Sequence, residues 1–260
     1  MPLSQLTDRS VLRLSGADTR DFLQGLLTQD VQGLTPETPL YAGLLSPQGK
    51  TLFQLFLFAD GADVLIDVPA GGAEALAKRL TMFRLRKQVQ IAAEPALAVW
   101  QQWGEDSSHP ADPREPRAGS RFLAAPGEAA PLDAWHQHRL SLRLPDADEI
   151  GTDDLLWLET NARELNGVSF TKGCYTGQEN TARMHHRDKL RKRLLPMRLS
   201  GPGAPDAKLV AGNREAGQLR GTRHGNLQMA LFRMDYLAQP LTVDGAAAEI
   251  ILPPWLPAEA

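Results

Sequence analysis

Cysteine is nearly missing from this chain of 260 residues, which has one, Cys174. One cysteine forms no internal disulfide and cannot by itself supply the ligands of a closed zinc or iron–sulfur site. The disulfide-stapled secreted class is therefore excluded, and a reducing compartment is expected, here the cytoplasm. Long apolar runs are lacking too: no stretch approaches the roughly 18 residues that span a bilayer, so no membrane partner is expected. The opening MPLSQLTDRS shows no charged segment followed by an apolar one, so no signal peptide is expected. Excess charge of either sign is also absent. A formal net charge of −3 argues against a globally basic nucleic-acid binder, so any anion site must be a local patch. What is present suffices for globular structure. Hydrophobic residues make up 42%, enough for real cores. The length suits two or three packed subdomains.

Val11–Leu14 reads as a strand ending at Ser15-Gly16. Asp18 follows Ser15 at capping-box spacing, and Phe22, Leu23, Leu26 and Leu27 recur at helical spacing, which predicts a helix from about Ala17 to Thr28. Strands are expected at Leu40–Leu45 and Thr51–Phe58 around a Ser46–Lys50 turn, then at Asp63–Val68. Ala73–Arg86 reads as an amphipathic helix, with strands following near Gln88–Ala92 and Ala96–Gln101. Residues 104–118, rich in Pro, Gly and charge, read as a surface loop or linker. The block from Leu132 to Lys189 is mostly helix and loop. After Arg191 come five short strand-like runs, Leu194–Leu199, Lys208–Val210, Glu215–Arg223, Leu227–Met234 and Ala248–Leu252, the pattern of a small antiparallel barrel. The expected class is α+β, with an N-terminal subdomain at 1–103, a middle subdomain at 104–190 and a C-terminal β-barrel at 191–260.

The chemistry concentrates between Asn166 and Arg193. Thr176 and Glu179 stand at capping-box spacing, so a helix should begin near Gly177 and run through His186. Cys174 would then sit just ahead of exposed helix amides, and Lys172 adds positive charge two residues away. Both effects favour a thiolate. Gly173 and Gly177 leave room for a ligand to approach the backbone. The plainer reading of a lone Cys is a small buried hydrophobe; neighbours of the Lys, Gly and Tyr type favour a working thiol. Glu179, Arg183 and Arg187 form a single helical stripe, readable as surface ion pairs or as a functional face. Arg183, Arg187, Lys189, Arg191, Lys192 and Arg193 are opposed only by Asp188. That run is a solvated basic face, or a site for an anionic ligand, an acidic partner or RNA. It lacks interleaved aromatics for stacking on bases, so direct tRNA binding is not expected. His185 and His186 are adjacent and point roughly 100° apart on a helix, so they cannot jointly chelate one metal, though one of them joining Cys174 at a cluster is the alternative.

Lys172-Gly-Cys-Tyr-Thr-Gly-Gln-Glu179 resembles the signature of the YgfZ family, which includes mitochondrial iron–sulfur assembly factors of the same lineage. Gly167-Val-Ser-Phe-Thr171 precedes it and Thr181-Ala-Arg-Met-His-His186 and Arg191-Lys-Arg-Leu-Leu-Pro-Met-Arg198 follow it as in the mitochondrial branch. Phe22-Leu-Gln-Gly-Leu-Leu-Thr-Gln-Asp-Val31 and Leu45-Ser-Pro-Gln-Gly-Lys50 also match the family pattern. The resemblance covers most of the chain, least distinctly at about 93–130.

This resemblance implies a three-subdomain, aminomethyltransferase-like ring closed by a C-terminal barrel. It implies tetrahydrofolate binding, service to [4Fe–4S] proteins and an indirect effect on tRNA modification. By resemblance Lys172, Gly173, Cys174, Tyr175, Gly177, Gln178 and Glu179 form the functional loop, and Glu159, Asn161, Arg139 and Arg183 are the folate candidates. A cluster at Cys174 would be shared, with other ligands from an A-type carrier or glutathione. The chain departs from the pattern in three places. Arg143-Leu144-Pro145 stands where the family often has Gly before x-Pro, and Trp157 stands where Pro is usual. Leu52-Phe53-Gln54 lacks the aspartate that aminomethyltransferases carry on that strand. Whether the chain is an enzyme stays open at this point. The alternative to an accessory factor is a tetrahydrofolate-dependent one-carbon transferase, which the missing carboxylate disfavours.

Overall fold

The computed structural model describes residues 2–104, 107–128, 131–186, 190–254 and 256. The chain opens with strands β1 (Leu3–Gln5) and β2 (Arg9–Ser15), helix α1 (Thr19–Gln24), and strands β3 (Leu40–Leu45), β4 (Thr51–Asp60) and β5 (Asp63–Pro69). Helix α2 (Ala73–Arg84) leads into β6 (Gln90–Ala93), β7 (Ala98–Gln102) and β8 (Ser120–Ala124). Helices α3 (Leu132–Ser141), α4 (Ala147–Ile150) and α5 (Gln178–His185) occupy the middle. Strands β9 (Lys192–Leu199), β10 (Lys208–Ala211), β11 (Arg214–His224), β12 (Leu227–Arg233), β13 (Leu241–Val243) and β14 (Ala246–Ile250) complete it.

A five-stranded antiparallel sheet in the order β3-β4-β5-β2-β6 is buried on both faces. Successive side chains of a strand point to opposite faces, and this sheet divides them accordingly. Leu12, Leu14, Leu55, Leu57, Val64 and Ile66 pack under α1 and α2 with Phe22, Leu23, Leu76 and Leu80. Val11, Phe56 and Leu65, one residue out of phase, meet a second core with Tyr41, Trp135 and Trp157. A three-stranded sheet β1-β7-β8 and α3 border that second core. The last six strands close into a barrel, β10-β11-β12-β9-β14-β13, filled by Leu195, Met197, Leu209, Leu219 and Phe232.

Helix α1 is shorter than expected, and the Ser15–Asp18 capping box does not form. The Asp18 carboxylate instead accepts the Gln88 amide at 2.6 Å, because the chain entering β6 passes over the helix start. The described part of 104–118 is largely a surface loop, as expected, but it does not link separate subdomains. It buries Asp112, Arg114 and Ala118, and β7 and β8 pair across it, so a boundary at 103/104 divides one small sheet. Proline and charge there serve a buried ion pair, which composition alone reads as solvated.

Candidate functional site

Cys174 is exposed, and the residues on either side of it are anchored. Lys172 is buried, with its ammonium donating to the carbonyls of Gln24 at 2.7 Å, Leu27 at 2.7 Å and Gln29 at 2.8 Å. All three of its N–H donors are thus matched. Burial draws this ammonium down to about 8, partly opposed by the Asp30 carboxylate. Lys172 is therefore a clamp that ties the loop to the segment after α1, and not a free charge beside the thiol as its spacing suggested. Tyr175, on the other side, sits in the second core, and burial pushes its hydroxyl above the ordinary tyrosine range. Cys174 and Gly173 project between the two anchors, and a Cβ built on Gly173 meets open space.

The expected Thr176–Glu179 capping box is also replaced. Gly177 takes the position before α5 with a left-handed φ of +81°, and no side chain caps the helix. Gln178 reaches back instead, its Oε1 accepting the Tyr175 amide at 3.2 Å. A Cβ on Gly177 would lie 2.5 Å from the Ser46 carbonyl oxygen and 2.8 Å from the Leu45 side chain. Its missing side chain thus admits the Ser46–Lys50 turn, not a ligand. Gly49 is its counterpart, with a φ of +80° and Asn180 Cβ at 3.0 Å from a Cβ placed there. Asn180 Nδ2 donates to the Gln48 carbonyl at 3.0 Å, completing the lock between the two family motifs. Glu179 is exposed, and Arg183 donates to Asn180 at 2.8 Å. Arg187, Asp188 and Lys189 lie outside the described residues. His185 stacks on Phe170 at 3.7 Å between centroids, an aromatic pair beside the loop that spacing did not reveal.

The four folate candidates are held by different partners. Asn161 is locked, donating to the Leu194 carbonyl at 2.6 Å and accepting from Arg193 at 3.1 Å. Arg139 is buried and bidentate to Glu149 at 2.7 and 3.0 Å, with Nε donating to His136. Arg183 lies exposed on α5. Glu159 spends one oxygen on the Leu156 amide at 3.1 Å, and burial lifts its carboxyl above the ordinary range. Arg139 does line a cavity of about 470 Å³ together with Arg9, His136, Asp146 and His224, but the other three candidates do not reach it.

The departures from the family pattern have structural reasons. Arg143 holds a φ of +65°, the conformation glycine would supply there. Trp157 packs on Tyr41 at 5.4 Å and donates to the Gly167 carbonyl at 2.9 Å, at the start of the loop. Gln54 is buried, accepting from Tyr41 Oη at 2.9 Å and donating to Asp146. Asp146 is thus the nearest carboxylate to that position. Burial alone would raise it, but Arg9, Arg139, Arg114 and Arg121 outweigh this and hold it well below the usual carboxylate range. It is a fixed anion and a poor proton acceptor.

This anion belongs to a buried network that sequence reasoning missed. Asp67 accepts from Arg9 at 2.6 Å and Arg121 at 2.7 Å, and Arg114 pairs with Asp112 at 2.8 Å. Arg121, Arg114 and Arg9 lie over the Phe56 ring at 3.9, 4.7 and 5.5 Å. Asp67 finds its two arginines 58 and 54 residues away, so no local spacing announces those pairs.

The chain is 31% identical to the mitochondrial iron–sulfur cluster assembly factor IBA57 of Mus musculus, over 98% of its own length and 86% of that protein. The chain belongs to the IBA57 family. Human IBA57 is 32% identical over 97% of this chain and 85% of its own length. The IBA57 homologue of Coccidioides immitis is 33% identical over 75% of this chain and 56% of its own length. The family model for the C-terminal β-barrel domain of CAF17 matches residues 191–258, the region that closes into the barrel. A crystal structure of the glycine cleavage system aminomethyltransferase T from Bartonella henselae superposes with a TM-score of 0.76, covering 98% of this chain and 86% of that one. At 14% identity that likeness shows the fold, which is aminomethyltransferase-like as the YgfZ resemblance implied. The IBA57 relatives are named mitochondrial, which overturns the cytoplasmic expectation. A scarcity of cysteine marks a reducing environment and does not tell one such compartment from another.

Proposed function

We propose that this chain is an accessory factor for assembly or repair of iron–sulfur proteins and offers Cys174 as one ligand of a cluster held jointly with a partner. The carrying observation is the exposed thiol held between two buried anchors, Lys172 and Tyr175. Such a loop presents its sulfur with little freedom left to lose on contact. The IBA57 relatives, named iron–sulfur cluster assembly factors, support the same role. One cysteine cannot complete a cluster's ligand set. The remaining ligands would come from an A-type carrier or from glutathione, and the bound cluster is cargo. Effects on tRNA modification would then be indirect, through thiolating enzymes that carry [4Fe–4S] clusters.

The transferase reading is weaker on one point of geometry. Where aminomethyltransferases carry an aspartate this chain buries the Gln54 amide, and the adjacent Asp146 is fixed as an anion by arginines. Deleting the gene and assaying [4Fe–4S] enzymes under oxidative stress tests the choice. Wild type should restore activity and Cys174→Ser should not. Restoration by Cys174→Ser, or a defect confined to one-carbon flux, would end the assembly reading.

A further inference from the structure

The end of α2 carries the most exposed large apolar side chains among the described residues. Leu85 is 84% exposed, Met82 68% and Phe83 43%. The segment that carries them is basic: residues 78–87 contain Lys78, Arg79, Arg84, Arg86 and Lys87 and no acid, in a chain whose net charge is −3, and the carboxylate next to its end, Asp18, is held on the Gln88 amide. Lysine and arginine stems also extend an apolar surface while keeping their charges in water.

The backbone holds this tip in an unfavourable form. Leu85 has a φ of +50° and a ψ of −114°, and the Lys87 amide donates to the Arg84 carbonyl at 2.9 Å. That is a type II′ turn with Leu at the position that normally takes glycine. A leucine placed where it strains the backbone and meets water contributes nothing to the core. Strain of this kind gathers at functional positions.

The tip and the Cys174 loop stand at opposite ends of one short helix. The Gln88 amide donates to the Asp18 carboxylate at 2.6 Å and the Gln88 carbonyl accepts the Asp18 amide at 3.3 Å, at the start of α1. Lys172 binds the Gln24 carbonyl at its end. Six residues of helix span about 9 Å. A partner domain of about 100 residues, with a radius of gyration of about 13 Å, can reach both.

Resting on the assembly reading above, we propose that the α2 tip is the second docking point of the protein that meets Cys174, entering an apolar recess with an acidic rim on that partner. A stable interface buries about 1,200–2,000 Å², more than the few exposed loop residues around Cys174 can supply. A lipid surface would match the basic, apolar tip but would bring no ligand to the thiol beside it.

The test measures affinity for a cluster-loaded A-type carrier, under anaerobic conditions, at low and high salt. Leu85→Gly removes the most exposed apolar side chain of the tip and relieves the turn, so its melting temperature should not fall while affinity drops about tenfold or more. Arg86→Glu with Lys87→Glu should weaken binding further and flatten its salt dependence. At saturating carrier both variants should give the wild-type cluster spectrum, whereas Cys174→Ser should not. Wild-type affinity in both tip variants would overturn the docking proposal while leaving the assembly reading intact. So would tip-dependent binding to phosphatidylcholine vesicles containing anionic lipid, with carrier binding unchanged. A wild-type chain that binds no carrier would overturn both.

Discussion

Two regions of this molecule treat charge in opposite ways. In the Cys174 loop the cation is buried and the reactive group is outside: Lys172 is clamped on three carbonyls while the thiol projects. At the centre, Arg9, Arg114, Arg121 and Arg139 are buried against Asp67, Asp112, Asp146 and Glu149, four cations to four anions. The difference shows that a charged side chain close to a site need not act in it. Lys172 and the central arginines hold the frame, and the exposed positions are where a partner can be met.

The comparison breaks most readily at Asp67, which serves Arg9 and Arg121 at once. Asp67→Asn keeps the shape but leaves two buried guanidinium groups short of their anion. Removing one partner from a buried ion pair costs about 3–5 kcal/mol. Denaturant unfolding should show a loss of that size. A loss below about 1 kcal/mol would mean that water reaches these groups and that the network is not structural.

A smaller effect sharpens the other side. Gly177→Ala places a Cβ 2.5 Å from the Ser46 carbonyl and asks alanine for a φ of +81°. The expected cost is about 2–3 kcal/mol. The variant should also loosen the loop from the Ser46–Lys50 turn, read as faster amide exchange at Tyr175 and Gln178. Unchanged exchange would separate the loop's rigidity from this glycine lock.

How far the sequence carried depends on the range of each interaction. Strands β3 and β4 were legible to within a residue or two because alternation and a Pro-Gly turn are local signals. β13 was not, since three residues are too few to show a period. The signature pointed to the Cys174 loop, and the exposure of Cys174 followed from its polar neighbours. The work of Lys172 was hidden because its acceptors are backbone carbonyls more than 140 residues away. Both capping boxes failed for a related reason. Asp18 and Gly177 are each claimed by a distant segment, and tertiary contact outweighs local propensity.

The smallest effect on stability is expected at Cys174, the residue on which the proposed function rests. Cys174 is exposed, and no hydrogen bond or ion pair described for the loop depends on its sulfur, so Cys174→Ser should change unfolding free energy by no more than about 0.5 kcal/mol. In the folded wild type, a maleimide should modify this thiol as fast as in the unfolded chain, because no opening event has to precede the reaction. Labelling that waits for unfolding, or a serine variant that loses several kcal/mol, would make Cys174 a packing residue. The loop would then join the central network as frame, and the contrast between a site that presents and a core that holds would disappear.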